Sequence, residues 1–414
     1  MNTAHRTRVA LISSIVALAA ATPAAASADT IYVSPTGSDS ASGASASTPV
    51  QTLGQALKLA RSGERVELAP GSYPLARDEA TRTGDIEVAG TDSTSVAGLQ
   101  IYGGQRLSFS EIKFTAPVAV QGHPVKHAGQ PASNVSFRSD EFASGGSCVT
   151  IREGATDITV ADSHLHGCYT GVAGPGNPYM SRGIVIDHDT IDTITSDGIQ
   201  FGSWSQVQIT NNVIKGIRDP ANVIHNDGIQ FTGNSSSVTI AGNRISDSRT
   251  QLIFIQDAIG PIDDVQVVNN ELSGAGAVAI QSQGATHASF VNNTIWKAKD
   301  GGLWLRQGYS RNGTVVVPKD TVLSNNVATT IRLMEGATTS AAAGNVVLCP
   351  SKYSGITVPA GASCVADPGF VDVTAGDYRL TAGSPARPLG SSLALPATDL
   401  TGAPRTEPVP GAYN

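Results

Sequence analysis

A repeated segment constrains the fold of this chain more than any other feature. An apolar residue, a polar turn residue and a second apolar residue recur from position 137 onward, as in Ile209-Thr-Asn-Asn212-Val-Ile214. The turn residues are Asp140, Ser163, Asp189, Asn212, Asn243, Asn270, Asn293 and Asn326, at steps of 23, 26, 23, 31, 27, 23 and 33 residues. Short strands at this period predict a solenoid whose coils bury their apolar faces by stacking on one another.

The turn position also predicts a ladder of side chains. Coils of such a solenoid repeat at the spacing of strands in a sheet, roughly 4.8 Å, so equal side chains stack within hydrogen-bond reach. The residues expected to form this ladder are Asn212, Asn243, Asn270, Asn293 and Asn326. We interpret the ladder as structural and assign it no chemistry.

The first 28 residues are expected to be a secretory signal peptide. Arg6 and Arg8 precede an apolar run from Val9 to Ala20, and Ala26-Ser27-Ala28 offers a cleavage site before Asp29. The mature chain is then secreted and extracellular. No later stretch has the roughly 18 uncharged apolar residues of a membrane span, so we expect no membrane association.

Both ends of a solenoid need a cover, because open ends expose strand edges and core. Residues 29–64 are expected to hold an N-terminal strand and a capping helix, the latter predicted by apolar residues at helical spacing from Leu53 to Ala60. The β-helix is then expected over residues 65–386, with Asp377-Tyr-Arg-Leu380 as its last strand. The Pro-rich residues 387–414 predict an extended tail and not a second domain.

Four cysteines fit an oxidising compartment. Cys148 and Cys168 lie 20 residues apart, close to one coil, so a bridge between stacked turns is sterically reasonable. Cys349 and Cys364 would close a C-terminal loop. The alternative is two pairs of free buried thiols, and neither pair has a metal-ligand spacing.

Several segments carry a family resemblance. They are Ile31-Tyr-Val-Ser-Pro-Thr-Gly-Ser-Asp-Ser, Pro70-Gly-Ser-Tyr73, Asp367-Pro-Gly-Phe370, Gly376-Asp-Tyr-Arg-Leu380, Gly383-Ser-Pro-Ala386, Asp399-Leu-Thr-Gly402 and Gly411-Ala-Tyr413. With them the chain resembles secreted bacterial right-handed parallel β-helix proteins of the pectate-lyase-like superfamily. The resemblance implies an all-β right-handed parallel β-helix. It does not fix the reaction, because that superfamily includes lyases, hydrolases, epimerases and non-catalytic proteins.

The motif sets of two such enzyme families are incomplete here. Val185-Ile-Asp187-His188 is similar to a strand of pectate lyases, but the carboxylates that bind calcium and the later Arg-Pro-x-Arg motif are missing. The polygalacturonase pattern fails as well, because no Gly-His-Gly turn follows Asp263-Asp264.

A duplicated segment is the best candidate for a site. Ser196-Asp197-Gly198-Ile199-Gln200-Phe201 is followed 30 residues later by Asn226-Asp227-Gly228-Ile229-Gln230-Phe231. If the two segments align on neighbouring coils, Asp197 and Asp227 lie side by side where a turn enters a strand. His225 falls two residues before Asp227.

Outward side chains near this site are candidates for binding sugar. We expect one column that ends in a guanidinium, with Trp304 as a stacking platform beside it; its members are Gln200, Gln230, Gln256, Gln281 and Arg306. Such a row of amides could hydrogen-bond the hydroxyls of a glycan. Alternatively, the amides bond only one another.

The charged residues suggest acid and base chemistry. β-Elimination at a uronate needs a cation at the carboxylate, a base at C5 and an acid for the leaving oxygen. Lys215 or Arg218 could be the cation, His225 the base, and Asp227 the group that orients its imidazole. Alternatively, Asp197 and Asp227 are a glycosidase pair or share a Ca²⁺ ion, or they only form turns.

Charge excludes one class of partner. The chain carries a formal charge of −7, and no basic stripe for nucleic acid is visible. We expect a monomer acting on a polysaccharide, most simply a lyase of a uronate-containing glycan. A glycoside hydrolase, a uronate epimerase and a non-catalytic glycan-binding or structural protein are the alternatives.

Overall fold

The computed structural model describes residues 29–126, 129–176, 178–349 and 360–414, so the expected signal peptide lies outside the described residues. Within them the chain is almost wholly β, with one α-helix, Leu53–Leu59, and one 3₁₀-helix, Arg387–Leu389. None of the described helices is long and apolar enough to cross a membrane.

Three long parallel sheets run along the molecule, and the chain visits them in turn as sheet 1, sheet 2 and sheet 3. The thirteen strands of sheet 1 are Thr30–Val33, Arg65–Leu68, Ile86–Ala89, Gln105–Ser110, Ser133–Arg138, Thr156–Ala161, Ser181–Asp187, Trp204–Thr210, Ser235–Ala241, Ile262–Val268, Ala285–Val291, Thr321–Ser324 and Thr339–Ala343.

Sheet 2 follows sheet 1 after a sharp turn in each coil. Its thirteen strands are Gly71–Tyr73, Thr94–Val96, Lys113–Phe114, Glu141–Ala143, His164–His166, Thr190–Ile194, Val213–Ile217, Arg244–Ser248, Glu271–Ala275, Thr294–Trp296, Val327–Ala328, Asn345–Leu348 and Ala362–Val365.

Sheet 3 closes each coil. Its eleven strands are Ala76–Asp78, Leu99–Tyr102, Val118–Gln121, Val149–Arg152, Val172–Gly174, Ile199–Phe201, Ile229–Phe231, Ile253–Gln256, Val278–Gln283, Gly301–Arg306 and Ile331–Leu333. One strand per sheet and coil, all parallel, confirms the expected parallel β-helix.

The turn from sheet 1 to sheet 2 contains the expected ladder. From Asp189 onward each backbone N–H donates to the side-chain oxygen of the ladder residue one coil later, at 2.8 to 3.1 Å. The ladder holds all five expected asparagines and extends to Asn345. Buried main-chain groups of the turn are thereby satisfied without water.

The interior is filled by stacked apolar side chains of equivalent positions. Phe109 lies on Phe137 with ring centroids 5.1 Å apart, and Phe114 lies on Phe142 at 5.2 Å. Close packing of this kind stabilises each coil only through its neighbours.

The two ends are covered differently. Helix Leu53–Leu59 buries its apolar face at the N-terminal end, as predicted. At the other end Asp377–Leu380 forms a strand, but it pairs antiparallel with Phe370–Asp372 and belongs to none of the three sheets. The prediction that it is the last solenoid strand is therefore wrong; Ala362–Val365 is the last parallel strand.

Both predicted disulfides are present. Cys148 bonds to Cys168, and Cys349 bonds to Cys364, each with Cα atoms 5.6 Å apart. The first bridge connects two adjacent coils, and Cys168 lies one coil before Asp197.

Candidate active site

The duplicated segments align as the sequence predicts. Ile199, Gln200 and Phe201 pair in register with Ile229, Gln230 and Phe231 on neighbouring strands of sheet 3. The coils approach so closely before these strands that a Cβ at Gly198 would lie 2.5 Å from the carbonyl oxygen of Gly228. Glycine is therefore required at position 198, and the strand pairing places the preceding residues, Asp197 and Asp227, at equivalent positions on adjacent coils.

Asp227 is buried, and one of its two carboxylate oxygens accepts hydrogen bonds from the next coil. Its side chain is 0% exposed. Oδ1 accepts the N–H of Gln251 at 2.8 Å and the hydroxyl of Thr250 at 2.7 Å. Oδ2 lies 3.0 Å from Nδ1 of His225 but is not aligned with it as a hydrogen bond, and it has no other polar partner among the described residues.

Asp197 occupies the equivalent place one coil earlier. It is 2% exposed, and its Oδ1 accepts the N–H of Asp227 at 2.8 Å. Burial, reinforced by the negative charge of Asp227, raises the pKa of Asp197 to about 7. Both aspartates thus satisfy the next coil's backbone, and Asp197 can also hold a proton near neutral pH.

His225 is the accessible member of the group. Its side chain is 48% exposed, and its ring lies 5.6 Å from that of Phe254 on the next coil. The Asp227 carboxylate raises the pKa of His225. A half-exposed imidazole backed by a buried carboxylate can exchange protons with a ligand on the outer surface.

The loop between sheets 2 and 3 that carries His225 is held from both sides. Asp219 accepts the N–H groups of Val223 and Ile224 at 2.8 and 3.1 Å. Arg249, from the following coil, donates to the carbonyl oxygens of Asn222 and Ile224. The positive charge of Arg249 lowers the pKa of His225, against the effect of Asp227. The guanidinium therefore lies near the imidazole.

The two cations that the sequence suggested for this site lie elsewhere. Lys215 is on a strand of sheet 2, in register with Asp192 and Ser246. Arg218 is exposed and ion-paired with Asp247. Neither is among the charges that act on His225, whereas Arg249 is. Lys215 and Arg218 are close to His225 in sequence but not in the fold, because the chain changes direction from sheet 2 to sheet 3 between Arg218 and His225.

The expected single column of outward side chains is partly wrong. Gln200 and Gln230 are neighbours in it, but Gln230 pairs with Phe254, and Phe254 pairs with Gln281. The column then continues to Trp304. Gln256 lies two residues further along its strand, in a second column with Gln283 and Arg306.

Several members of these columns already have partners. Gln200 donates to Gln230 at 2.8 Å, which is the self-bonded arrangement. Gln230 and Gln281 are only 8% and 9% exposed. Arg306 is ion-paired with Glu335 at 2.7 Å. Sugar binding by these residues stays a prediction.

The tryptophans differ in their accessibility. The guanidinium of Arg332 lies 4.8 Å from the ring centroid of Trp304, so the half-buried Trp304 face is already covered in part. Trp204 is buried and stacks on Phe201 at 4.7 Å, so it cannot serve as a sugar platform.

The donor atoms at the site favour some cations over others. Asp197, His225 and Asp227 each bring one ligand atom, and these atoms lie within 4.8 Å of one another. One imidazole nitrogen with two carboxylate oxygens suits Ca²⁺ poorly, because Ca²⁺ takes six to eight oxygen ligands. The set suits first-row transition cations better.

Comparison with known proteins identifies the family. The family described as the right handed beta helix region matches residues 92–260 and 221–364, which together span about two thirds of the chain. The chain belongs to this family. No curated protein is similar enough in sequence to count as a relative.

Solved structures agree with this family at low sequence identity. The A-module of mannuronan C-5 epimerase AlgE6 from Azotobacter vinelandii has a TM-score of 0.55 at 14% identity, over 76% of this chain and 93% of that one. Pectate lyase Pel9A has a TM-score of 0.55 at 18% identity, over 93% and 96%. XylC in complex with xylose has a TM-score of 0.51 at 11% identity, over 93% and 98%. At these identities the likeness concerns the fold alone.

Proposed function

We propose that the protein is a secreted polysaccharide-active enzyme that removes the C5 proton of a uronate residue and cleaves the chain by β-elimination. The observation that carries the proposal is the pair formed by His225 and Asp227. The imidazole of His225 is half exposed on the loop before sheet 3, and its Nδ1 lies 3.0 Å from the fully buried carboxylate of Asp227. This arrangement is typical of a histidine that acts as a base.

The proposed chemistry follows from the two ends of the imidazole. When Nδ1, the ring nitrogen nearer Asp227, carries the proton, Nε2 holds the lone pair and can accept the C5 proton. The C5–H and C4–O4 bonds break, a C4–C5 double bond forms, and a proton goes to O4. That proton comes from solvent, because Asp197, the carboxyl group beside His225, is 2% exposed and does not reach the substrate.

Arg249 is the proposed partner of the substrate carboxylate. Neutralising that carboxylate makes the C5 proton more acidic. Lys215 and Arg218 were the candidates from sequence, but Arg249 is the cation that acts on His225. Its hydrogen bonds go to carbonyl oxygens, and its charge also acts on the nearby carboxylate of Asp219.

A uronate C5 epimerase is the second candidate. Epimerisation shares the first step and differs in returning a proton to the opposite face of C5 without expelling O4. Two solved neighbours are named for these two reactions, a pectate lyase and a mannuronan C-5 epimerase. A glycoside hydrolase is disfavoured, because both aspartates are too buried to contact a sugar directly.

The test is a screen of the purified mature protein on polymannuronate, polyguluronate, polygalacturonate and neutral xylan. A lyase produces unsaturated ends that absorb in the ultraviolet, and a hydrolase produces reducing ends without that absorbance. An epimerase changes the uronate composition with neither signal. Binding to a glycan affinity gel, with no change in any of these, would contradict an enzymatic function.

His225→Ala connects the activity to this site. We expect turnover to fall by roughly 10²-fold or more, with an unchanged melting temperature, because the half-exposed ring contributes little to the core. His287→Ala is the matched control, since His287 is also exposed and its Nδ1 lies 2.6 Å from Asp263 on sheet 1. Full activity in His225→Ala would rule this site out.

A further inference from the structure

The group formed by Asp197, His225 and Asp227 is unusual within this molecule. It is the one group of three or more potential metal-ligating side chains that the described residues bring together. The three come from two coils and a loop, so the solenoid builds the cluster and no local sequence motif does.

A buried carboxylate oxygen that accepts no hydrogen bond points into this group. Asp227 is fully buried, and its Oδ2 has no hydrogen-bond partner among the described residues. An orphaned carboxylate oxygen in a buried setting is costly unless an ion or a donor completes it. His225 lies at 3.0 Å but is not aligned to donate to it.

The 3.0 Å between Nδ1 of His225 and Oδ2 of Asp227 equals the distance between two ligand atoms that bind one small cation. Ligands at about 2.1 Å from a zinc-sized ion lie about 3.0 Å apart at a right angle and about 3.4 Å apart in a tetrahedron. The widest pair of ligand atoms in the group, at up to 4.8 Å, must close by about 1 Å or more. The half-exposed imidazole of His225 can move toward the two buried aspartates by rotation of its side chain, while its loop stays in place.

We propose that Asp197, His225 and Asp227 form a binding site for a divalent first-row transition cation such as Zn²⁺. Imidazole nitrogen with two carboxylates favours such ions over Ca²⁺ and Mg²⁺. The cation also neutralises two buried carboxylates that lie side by side. Thiols do not compete, because all four cysteines are in disulfides.

Metal binding there regulates the same site. This consequence rests on the proposed function: a cation on Nδ1 of His225 and Oδ2 of Asp227 breaks their pairing and leaves Nε2 protonated. The imidazole then has no lone pair to accept the C5 proton. Transition cations are thus reversible inhibitors of this enzyme, and chelators relieve the inhibition.

The experiment is calorimetric titration of the untagged mature protein with Zn²⁺ alone at neutral pH, and with Ca²⁺ for comparison. We expect one Zn²⁺ per chain with a dissociation constant in the micromolar range or below. Binding should be lost in His225→Ala and weakened at least tenfold in Asp197→Asn. His287→Ala should bind like the wild type. Melting temperatures verify that each variant is folded.

Three outcomes overturn the proposal. They are no Zn²⁺ binding below millimolar concentration, Zn²⁺ binding that His225→Ala leaves unchanged, and Ca²⁺ binding as tight as that of Zn²⁺. The result is separable from the proposed function. Activity lost in His225→Ala without Zn²⁺ binding removes the metal site only, whereas Zn²⁺ binding with full activity in His225→Ala removes the catalytic role only.

Discussion

Asp140 occupies a ladder position that asparagine fills in later coils, and this difference should limit stability. Asp140 is 3% exposed, and its Oδ1 accepts the N–H of Ile112 at 2.9 Å. Its Oδ2 is buried and has no hydrogen-bond partner among the described residues. Burial raises the pKa of Asp140 to about 8. The carboxyl group is therefore protonated in the fold at neutral pH but ionised in the unfolded chain.

The sign and size of the effect follow from linkage. Below about pH 4 the group is neutral in both states and costs nothing. As pH rises from the ordinary pKa of 3.8 to the folded pKa of about 8, the unfolded chain releases the proton first, so stability falls. At 1.36 kcal/mol per pKa unit this loss is about 4 kcal/mol at pH 7. Above pH 8 it does not grow further.

Asp140→Asn should remove this loss. The amide cannot ionise, and its Nδ2 replaces the unpartnered oxygen. Elsewhere in the ladder that nitrogen donates to a carbonyl of the preceding coil, as Asn212 does to Ile186 at 2.9 Å. We expect the variant to match the wild type near pH 4 and to exceed it by a few kcal/mol near pH 8.

The assay is the melting temperature of both proteins from pH 4 to pH 9. The reverse substitution, Asn212→Asp, is the matched control and should introduce the same pH dependence. Parallel curves for wild type and Asp140→Asn would refute the reasoning, since they would mean that Asp140 ionises equally in both states. A lower melting temperature for Asp140→Asn at pH 8 would refute it as well.

Other predictions concern the coils and the chain end. Gly198→Ala should lower the melting temperature by several degrees or prevent folding, because its Cβ would meet the Gly228 carbonyl oxygen at 2.5 Å; a wild-type melting curve would contradict this. Cys148 and Cys168 should not react with a thiol reagent before reduction, as mass spectrometry of the labelled protein can verify. Deletion of residues 391–414 should lower the melting temperature, because that segment bonds to three coils; unchanged melting would show that the segment is dispensable.

Much of the fold could be predicted from sequence because every coil has the same structural requirement at the turn from sheet 1 to sheet 2. Each coil must satisfy the backbone of the same tight turn, and a short amide at one position does so. Asn212 and Asn243 are therefore visible as a pattern even though 31 residues separate them. The capping helix follows in the same way from apolar residues at helical spacing.

The register of the outward row could not be predicted in the same way. Side chains alternate along a strand, so Phe254 and Gln256 both point outward. A shift of two residues leaves the apolar pattern intact, and alternation alone cannot distinguish the two alignments. The sequence favoured Gln256 by chemical likeness, but pairing places Phe254 beside Gln230.

The position of Arg249 beside the candidate site could not be predicted from sequence for a related reason. Arg249 reaches the loop of His225 from the next coil, across the short distance between stacked strands. Lys215 and Arg218 are nearer in sequence, but they lie before the corner between sheets 2 and 3. In a solenoid, the residue one period away is a closer neighbour than the residue ten positions away.

The C-terminal tail has a consequence for how the molecule opens. Outward asparagines on three consecutive coils bond its backbone: Asn269 donates to Thr398 at 2.8 Å, Asn292 to Val409 at 2.9 Å, and Asn325 to Ser391 at 2.8 Å. Coils of a solenoid otherwise interact only with their neighbours, so an end can fray one coil at a time. Here the tail connects three coils along the solenoid axis, those that carry Asn269, Asn292 and Asn325. We therefore expect these three coils to separate together, so that stepwise fraying from the C-terminal end stops at the coil of Asn325.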